Sequence, residues 1–188
     1  MKSKQIIIMN GTGGCGKDTV TDFMMDAYTI YKYSSICKVK EIAAQCGWVG
    51  GKSEVDRKFL SDLKLLTTNY NDMPMEDLRL VYEKFMTGEL GPNVNDKYSG
   101  LKSDYPNAEI LIIDIREPAE IEKAVNEFNA ITVLITRPEV GQITSNMSDA
   151  NVNNFTYDYE IINDGTLSDL ESKVYDFIDW LKERWELR

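Results

Sequence analysis

Gly11-Thr12-Gly13-Gly14-Cys15-Gly16-Lys17-Asp18-Thr19 follows directly on the apolar run Ile6-Ile7-Ile8-Met9 and leads directly into a helical pattern. A strand that ends in Gly-x-x-x-x-Gly-Lys and feeds a helix is a phosphate-binding loop, in which successive backbone N–H groups and the positive end of the helix surround a polyphosphate. Glycine is needed because, without a Cβ, the turn reaches positive φ and the main chain approaches phosphate oxygens closely. Lys17 adds a mobile point charge for the terminal phosphates. Val20, Phe23, Met24, Ala27, Tyr28 and Tyr31 recur in steps of three and four, which predicts the buried face of a helix beginning near Gly16 or Lys17. Without that strand and helix the same letters also fit a glycine-rich turn in an unrelated α/β protein.

One position departs from the usual pattern. Asp18 stands where a Ser or Thr hydroxyl normally meets Mg²⁺, and the hydroxyl arrives one residue later, as Thr19. A carboxylate is a good oxygen ligand for Mg²⁺, directly or through water, so metal-assisted phosphate binding survives the change. It also places negative charge near a bound polyphosphate. The alternative is that Asp18 only complements the positive end of the helix.

The 188 residues, 43% hydrophobic and 28% charged, have ordinary globular composition and fit one domain with a full core. No apolar run is long enough to span a bilayer and the first residues lack a signal-peptide layout, so a soluble, cytoplasmic protein without membrane partners is expected. Cys15, Cys37 and Cys46 are too few and too irregularly spaced for a disulfide framework or a zinc site. With no histidine, a general base must be a carboxylate, or the substrate supplies its own nucleophile. A net charge of -10 and the lack of a basic stripe argue against nucleic acid as a partner. Against this acidic background the arginines Arg57, Arg79, Arg116, Arg137, Arg184 and Arg188 become informative.

Beyond the first helix, residues 34–39 read as a short second strand and 40–46 as a helical turn stopped by Gly47. Val55, Phe59, Leu63 and Leu66 mark one helical face and Leu78, Val81, Tyr82 and Phe85 another, with Pro74 between them and Gly88 ending the second. Residues 88–106, rich in Gly, Asn, Asp and Ser, are too long for a routine connection. The run Glu109-Ile110-Leu111-Ile112-Ile113-Asp114 suits a central parallel strand covered on both faces, with Asp114 at its carboxyl end, where open α/β sheets bind ligands. Pro118 suits the first turn of a helix carrying Ile121, Ala124, Val125 and Phe128. Asp114 then either faces the phosphate loop as a metal ligand or base, with Arg116 clamping a transferred phosphoryl group, or the two form an ion pair at the strand end.

A third strand over 130–136 ends at Arg137 and Pro138. Residues 139–157 read as a mobile flap, and because 138–172 contain no Lys or Arg, only Arg137 at its threshold can supply a cation. The last unit, from Tyr159 to Leu170, is a short strand, a turn and a capped helix, capped by Thr166 with Asp169 or Ser168 with Glu171, whose stripe is Leu170, Val174, Phe177, Ile178 and Leu181. Together these elements predict an α/β fold with a parallel sheet.

Gly16-Lys17-Asp18-Thr19, Asp114-Ile115-Arg116 with Pro118 and Glu120, and Ile162-Asn163-Asp164-Gly165-Thr166-Leu167 together resemble the P-loop kinases of the nucleoside monophosphate kinase group, most of all the phage-type deoxynucleoside monophosphate kinases. The Gly-Lys-Asp loop is shared with animal-type phosphomevalonate kinases, and Asn163 to Leu167 resembles the adenine-side loop of dephospho-coenzyme A kinases. The resemblance implies a three-layer P-loop kinase fold of about five parallel strands, with a helical acceptor-binding insertion over about residues 40–106 and a flap over about 138–157. It implies transfer of the terminal phosphoryl group of ATP to a small phosphorylated acceptor, with Mg²⁺ as cofactor and small-molecule nucleotides as partners, by a monomer or homodimer.

On that reading Gly11, Thr12, Gly13, Gly14, Cys15, Gly16, Lys17, Asp18 and Thr19 hold the donor phosphates, and Asn163, Gly165 and Thr166 flank adenine. Asp18, Thr19 and Asp114 are the metal candidates, and Lys17, Asp114, Arg116 and Arg137 the catalytic ones. Such catalysis is mostly positioning and charge neutralisation, so it needs no histidine. Arg57 with Lys58 either anchors the acceptor phosphate or is a solvated helix face. Two other functions stay open: a kinase for a non-nucleotide acceptor such as phosphomevalonate, and a nucleotide-binding module with little turnover.

Overall fold

The computed structural model of the chain describes residues 4–92, 105–140, 152 and 154–186. Its centre is β1 (Gln5–Asn10), every residue of which is buried. It pairs in parallel with β3 (Ile110–Asp114) on one side and β4 (Ile131–Thr136) on the other. β2 (Ile30–Ser34) adds to β3, and β5 (Tyr159–Ile162) adds to β4. The order β2-β3-β1-β4-β5 makes one five-stranded parallel sheet, as expected.

Strand alternation divides the core in two. Ile6, Ile8, Leu111 and Ile113 face α4 (Met73–Thr87) and α5 (Pro118–Phe128), packing on Leu78, Phe85, Ile121 and Phe128. Ile7, Met9, Ile110, Ile112, Val133 and Ile135 face the opposite way, onto α1 (Lys17–Met24) and the C-terminal helix α6 (Leu167–Glu186), through Val20, Met24, Val174 and Phe177. Helices on both faces explain why β1 and β3 read as unbroken apolar runs. The expected three-layer fold is the one found. Among the described residues no helix is long and apolar enough to cross a membrane.

Local signals set most element ends. Thr166 and Asp169 form a reciprocal cap at the start of α6, each side chain accepting from the other's backbone N–H, which selects that pair over Ser168 with Glu171. Pro118 opens α5 and Gly88, at φ 75°, closes α4. α3 (Glu54–Asn71) starts at a Ser53–Asp56 capping box.

Four expectations are corrected. The second strand is Ile30–Ser34, not 34–39; the segment from Cys37 to Gln45 is helix α2. Correspondingly α1 stops at Met24, and Tyr31 belongs to β2. The three-and-four rhythm ran on because the buried strand residues happen to continue it, whereas pairing with β3 from Ile30 opposite Ile110 to Ser34 opposite Asp114 decides the matter. The third correction is the break between α3 and α4, which lies at Asp72 in the left-handed region (φ 53°), with Pro74 inside the first turn of α4. Finally, Val55 and Leu66 do not share the buried side of α3; both are exposed, and the helix packs on α2 through Leu60, Phe59 and Leu63. The long connection over 93–104 and the greater part of the expected flap, 141–150, lie outside the described residues.

Phe177 is fully buried against Tyr159 and Trp180 under the sheet. Phe177→Ala is expected to lower unfolding stability by about 3–5 kcal/mol in urea titration. A loss under about 1 kcal/mol would show that this face is not a packed core.

Candidate active site

β1 ends at Asn10, and Gly11 to Gly16 curl back over the end of the sheet before α1 begins at Lys17. The turn needs glycine at both ends. Gly11 has φ 148°, and a Cβ there would stand 2.4 Å from the Ile135 carbonyl oxygen. Gly16 has φ 109°, and a Cβ would stand 2.8 Å from Asn163 Nδ2. The loop is tethered on two sides. Asn163, only 9% exposed, donates from Nδ2 to the Cys15 carbonyl at 3.0 Å. Asn10 accepts from Gly11 N–H at 2.7 Å and donates to the Arg116 carbonyl (3.3 Å) and to Tyr157 Oη (2.7 Å). Tyr157 in turn donates to the Val152 carbonyl at 2.8 Å.

Lys17 Nζ donates to the carbonyls of Gly11 and Thr12, the latter at 3.1 Å, and lies 3.8 Å from Cys15 Sγ. Burial pushes its pKa below the ordinary lysine value, and the nearby charges of Arg116 and Lys32 add to that effect against Asp114. Parallel pairing sets Met9 opposite Asp114 and Asp114 opposite Ser34, so the carboxyl ends of β1, β3 and β2 are adjacent. Lys17 thus lies within electrostatic reach of Asp114 and Arg116, about a hundred residues away in sequence.

Sequence reading missed Lys32, the residue at the centre of this group. It is 7% exposed on β2, where its ammonium meets Asp18 Oδ1 at 2.8 Å, Asp114 Oδ2 at 3.4 Å and Thr21 Oγ1 at 3.4 Å. Burial works against its charge, but Asp114 and Asp18 outweigh it and raise its pKa. Burial also raises the Asp114 pKa, against the pull of Lys32 and Lys17. We place the ionising proton of this pair on Lys32, which two carboxylates share. The signal was present as one charged residue inside Ile30-Tyr31-Lys32-Tyr33, but a lysine on an edge strand ordinarily faces solvent. Asn10 was missed too, although a polar residue closing an apolar strand just before the loop was its mark.

The expected metal candidates fit a hard divalent cation. Asp114 Oδ1 is buried with no hydrogen-bond partner, and the Asp18 carboxylate is mostly exposed at the start of α1. Thr19, next in α1, is half-buried. No group of three or more His, Cys, Asp or Glu residues forms a metal cage among the described residues. That composition suits Mg²⁺, which binds through one or two carboxylates and completes its shell with phosphate and water.

Other expected residues stand further out. Arg137, after β4, pairs with Glu139 at 3.0 Å. Arg57 donates to the Lys52 carbonyl just before α3, and Lys58 pairs with Asp62 on the exposed side of that helix. Arg79 bridges Glu76 and Glu127, and Arg184 pairs with Asp158 and stacks over Trp180. Lys64 of α3 pairs with Glu120 of α5 at 2.7 Å in a half-buried contact that ties the two helices together. Gly165 and Thr166 form the α6 cap, so Asn163 is the member of that segment that touches the phosphate loop. Arg188 lies outside the described residues.

No family model and no curated protein matches the chain. Among solved structures, TT1252 from Thermus thermophilus is similar at 18% identity, covering 96% of this chain and 99% of that one, with a TM-score of 0.45. The Mycobacterium tuberculosis APS kinase CysC in complex with AMPPNP and APS is similar at 13% identity over 95% and 99% of the two chains, with a TM-score of 0.41.

The Asn163 tether gives a direct test. Asn163→Ala is expected to lower unfolding stability by about 1 kcal/mol through the lost buried hydrogen bond. Faster amide hydrogen exchange should be confined to the Gly11–Lys17 loop. Unchanged exchange there would mean that the loop holds its shape without the tether.

Proposed function

We propose that this chain is an ATP-dependent phosphotransferase that moves the terminal phosphoryl group to a small phosphorylated acceptor, a nucleoside or deoxynucleoside monophosphate. One observation carries the reading: the glycine loop ahead of α1 lies beside Lys17, Lys32, Asp114 and Arg116 at one end of a parallel sheet. Backbone N–H groups of the loop and the α1 N-terminus receive the donor phosphates. Lys17 exchanges its contacts with the Gly11 and Thr12 carbonyls for phosphate oxygens, and Arg116 meets the charge that develops during transfer. Arg137, one strand over from the loop, is a second cation for that charge once it leaves Glu139. Asp18 and Asp114, with Thr19 beside them, would hold Mg²⁺, which would supply neutralisation of charge on the donor phosphates.

Asp114, at the carboxyl end of β3, orients the acceptor phosphate or takes up a proton from it; an acceptor that already bears a phosphate needs little deprotonation. Asn163 holds the loop from behind and Gly165 with Thr166 borders the adenine side. The acceptor enters from the side of α3 and α4, with Arg57 and Lys58 as its outer anchor. Support for a phosphorylated acceptor is the concentration of cations at the site of a chain whose net charge is -10.

Lys17→Ala is expected to reduce kcat by about a hundredfold to a thousandfold with circular dichroism unchanged. Arg116→Ala should lower kcat more than it raises KM for ATP; a change in thermal stability alone would assign it a purely structural role. A coupled assay should show ATP consumption stimulated by at least one of the nucleoside monophosphates or their deoxy forms. Stimulation by phosphomevalonate alone would replace the acceptor class, and consumption indifferent to every acceptor would favour a binding module.

A further inference from the structure

We infer that Lys32 is a positioning residue of the phosphate site, whose buried ammonium compensates Asp18 and thereby lets a carboxylate stand where such loops carry a hydroxyl. The inference rests on the phosphotransferase reading above and deepens it. A carboxylate in the first turn of α1 repels the triphosphate that the loop gathers. An isolated carboxylate at this point would oppose the function of the loop. Here it is not isolated: Lys32 lies 2.8 Å from Asp18 Oδ1.

Three features separate this contact from an incidental ion pair. Lys32 is 7% exposed, so its charge is not screened away by water as a surface lysine's is. The three N–H bonds of its ammonium have three acceptors within 3.4 Å, on Asp18, Asp114 and Thr21, so the head group is oriented and the two carboxylates are drawn to one point. Its contact with Asp114 is made to Oδ2, and Oδ1 is buried without a hydrogen-bond partner. Lys32 therefore acts through Asp18 and Asp114, not by touching the reacting atoms. The unusual Asp18 and the unusual buried lysine explain each other: Ser or Thr at position 18 would need no counter-charge.

Calorimetric titration of ATP into the full chain, with and without Mg²⁺, tests this. Lys32→Met is expected to weaken uptake of ATP with Mg²⁺ about tenfold, because two carboxylates then face the triphosphate uncompensated. Adding Asp18→Ser to Lys32→Met should recover most of that loss, a rescue that a purely structural lysine would not show. Unmodified affinity in Lys32→Met, or a double variant as weak as the single one, overturns the inference while leaving the phosphotransferase reading in place. No uptake of ATP by the unmodified chain overturns both. If Lys32→Met does not fold, Asp18→Ser alone decides. With Lys32 released from one carboxylate, metal-free ATP should bind about threefold tighter or more, and equal or weaker uptake overturns the inference.

Discussion

The parallel pairing of β1 with β3, Met9 opposite Asp114, is the constraint on which the rest of this molecule depends. It joins two chain segments about a hundred residues apart and sets the carboxyl end of β3 beside the start of the glycine loop. β2 then docks on the far side of β3 with Ser34 opposite Asp114. Because all three strands run the same way, their carboxyl ends share one edge of the sheet, and Lys17 and Asp18 after β1, Lys32 on β2 and Asp114 at the end of β3 meet there. Antiparallel pairing would have put those groups at opposite ends.

That volume is electrostatically expensive. Burial raises the pKa of Asp114 and lowers that of Lys17, so each of these charges is held against a desolvation cost. Neither is stable alone. Lys32 makes the arrangement tenable by bridging Asp18 and Asp114, and the cluster as a whole keeps cations and carboxylates within reach of one another. Buried ion pairs of this kind are weak evidence for stability, since packed apolar residues usually serve as well or better. Their presence at the mouth of a glycine loop is a sign of chemistry.

Positioning is shared with groups that carry no charge. Asn10 links the loop's first N–H, the Arg116 carbonyl and Tyr157, and so ties the exits from β1 and β3 to the segment that leads into β5. Asn163 reaches the loop from the end of β5, and its own N–H donates to the Thr136 carbonyl at 2.7 Å. The loop is therefore clamped between the ends of β3 and β5.

Much of this was legible in the residues. The apolar run and glycine loop, the unbroken strand ending in Asp114 and Arg116, Pro118 opening α5, and the Thr166–Asp169 cap are local signals read over a few positions, and each appears where it was expected. The second strand was misread because Ile30 to Ser34 is a short edge strand interrupted by a lysine, and only its pairing with β3 gives it identity. Lys32 was invisible for the same reason: nothing nearby in sequence says that a lysine will be buried, since its partners Asp18 and Asp114 are supplied by a helix and a strand elsewhere in the chain. The sequence by itself thus determined the loop, the class of sheet and the identity of most charged groups, because backbone sterics and side-chain periodicity act locally. Tertiary structure alone decided which of those groups meet and which cation balances which carboxylate, because long-range strand pairing and desolvation exist only once the chain has folded.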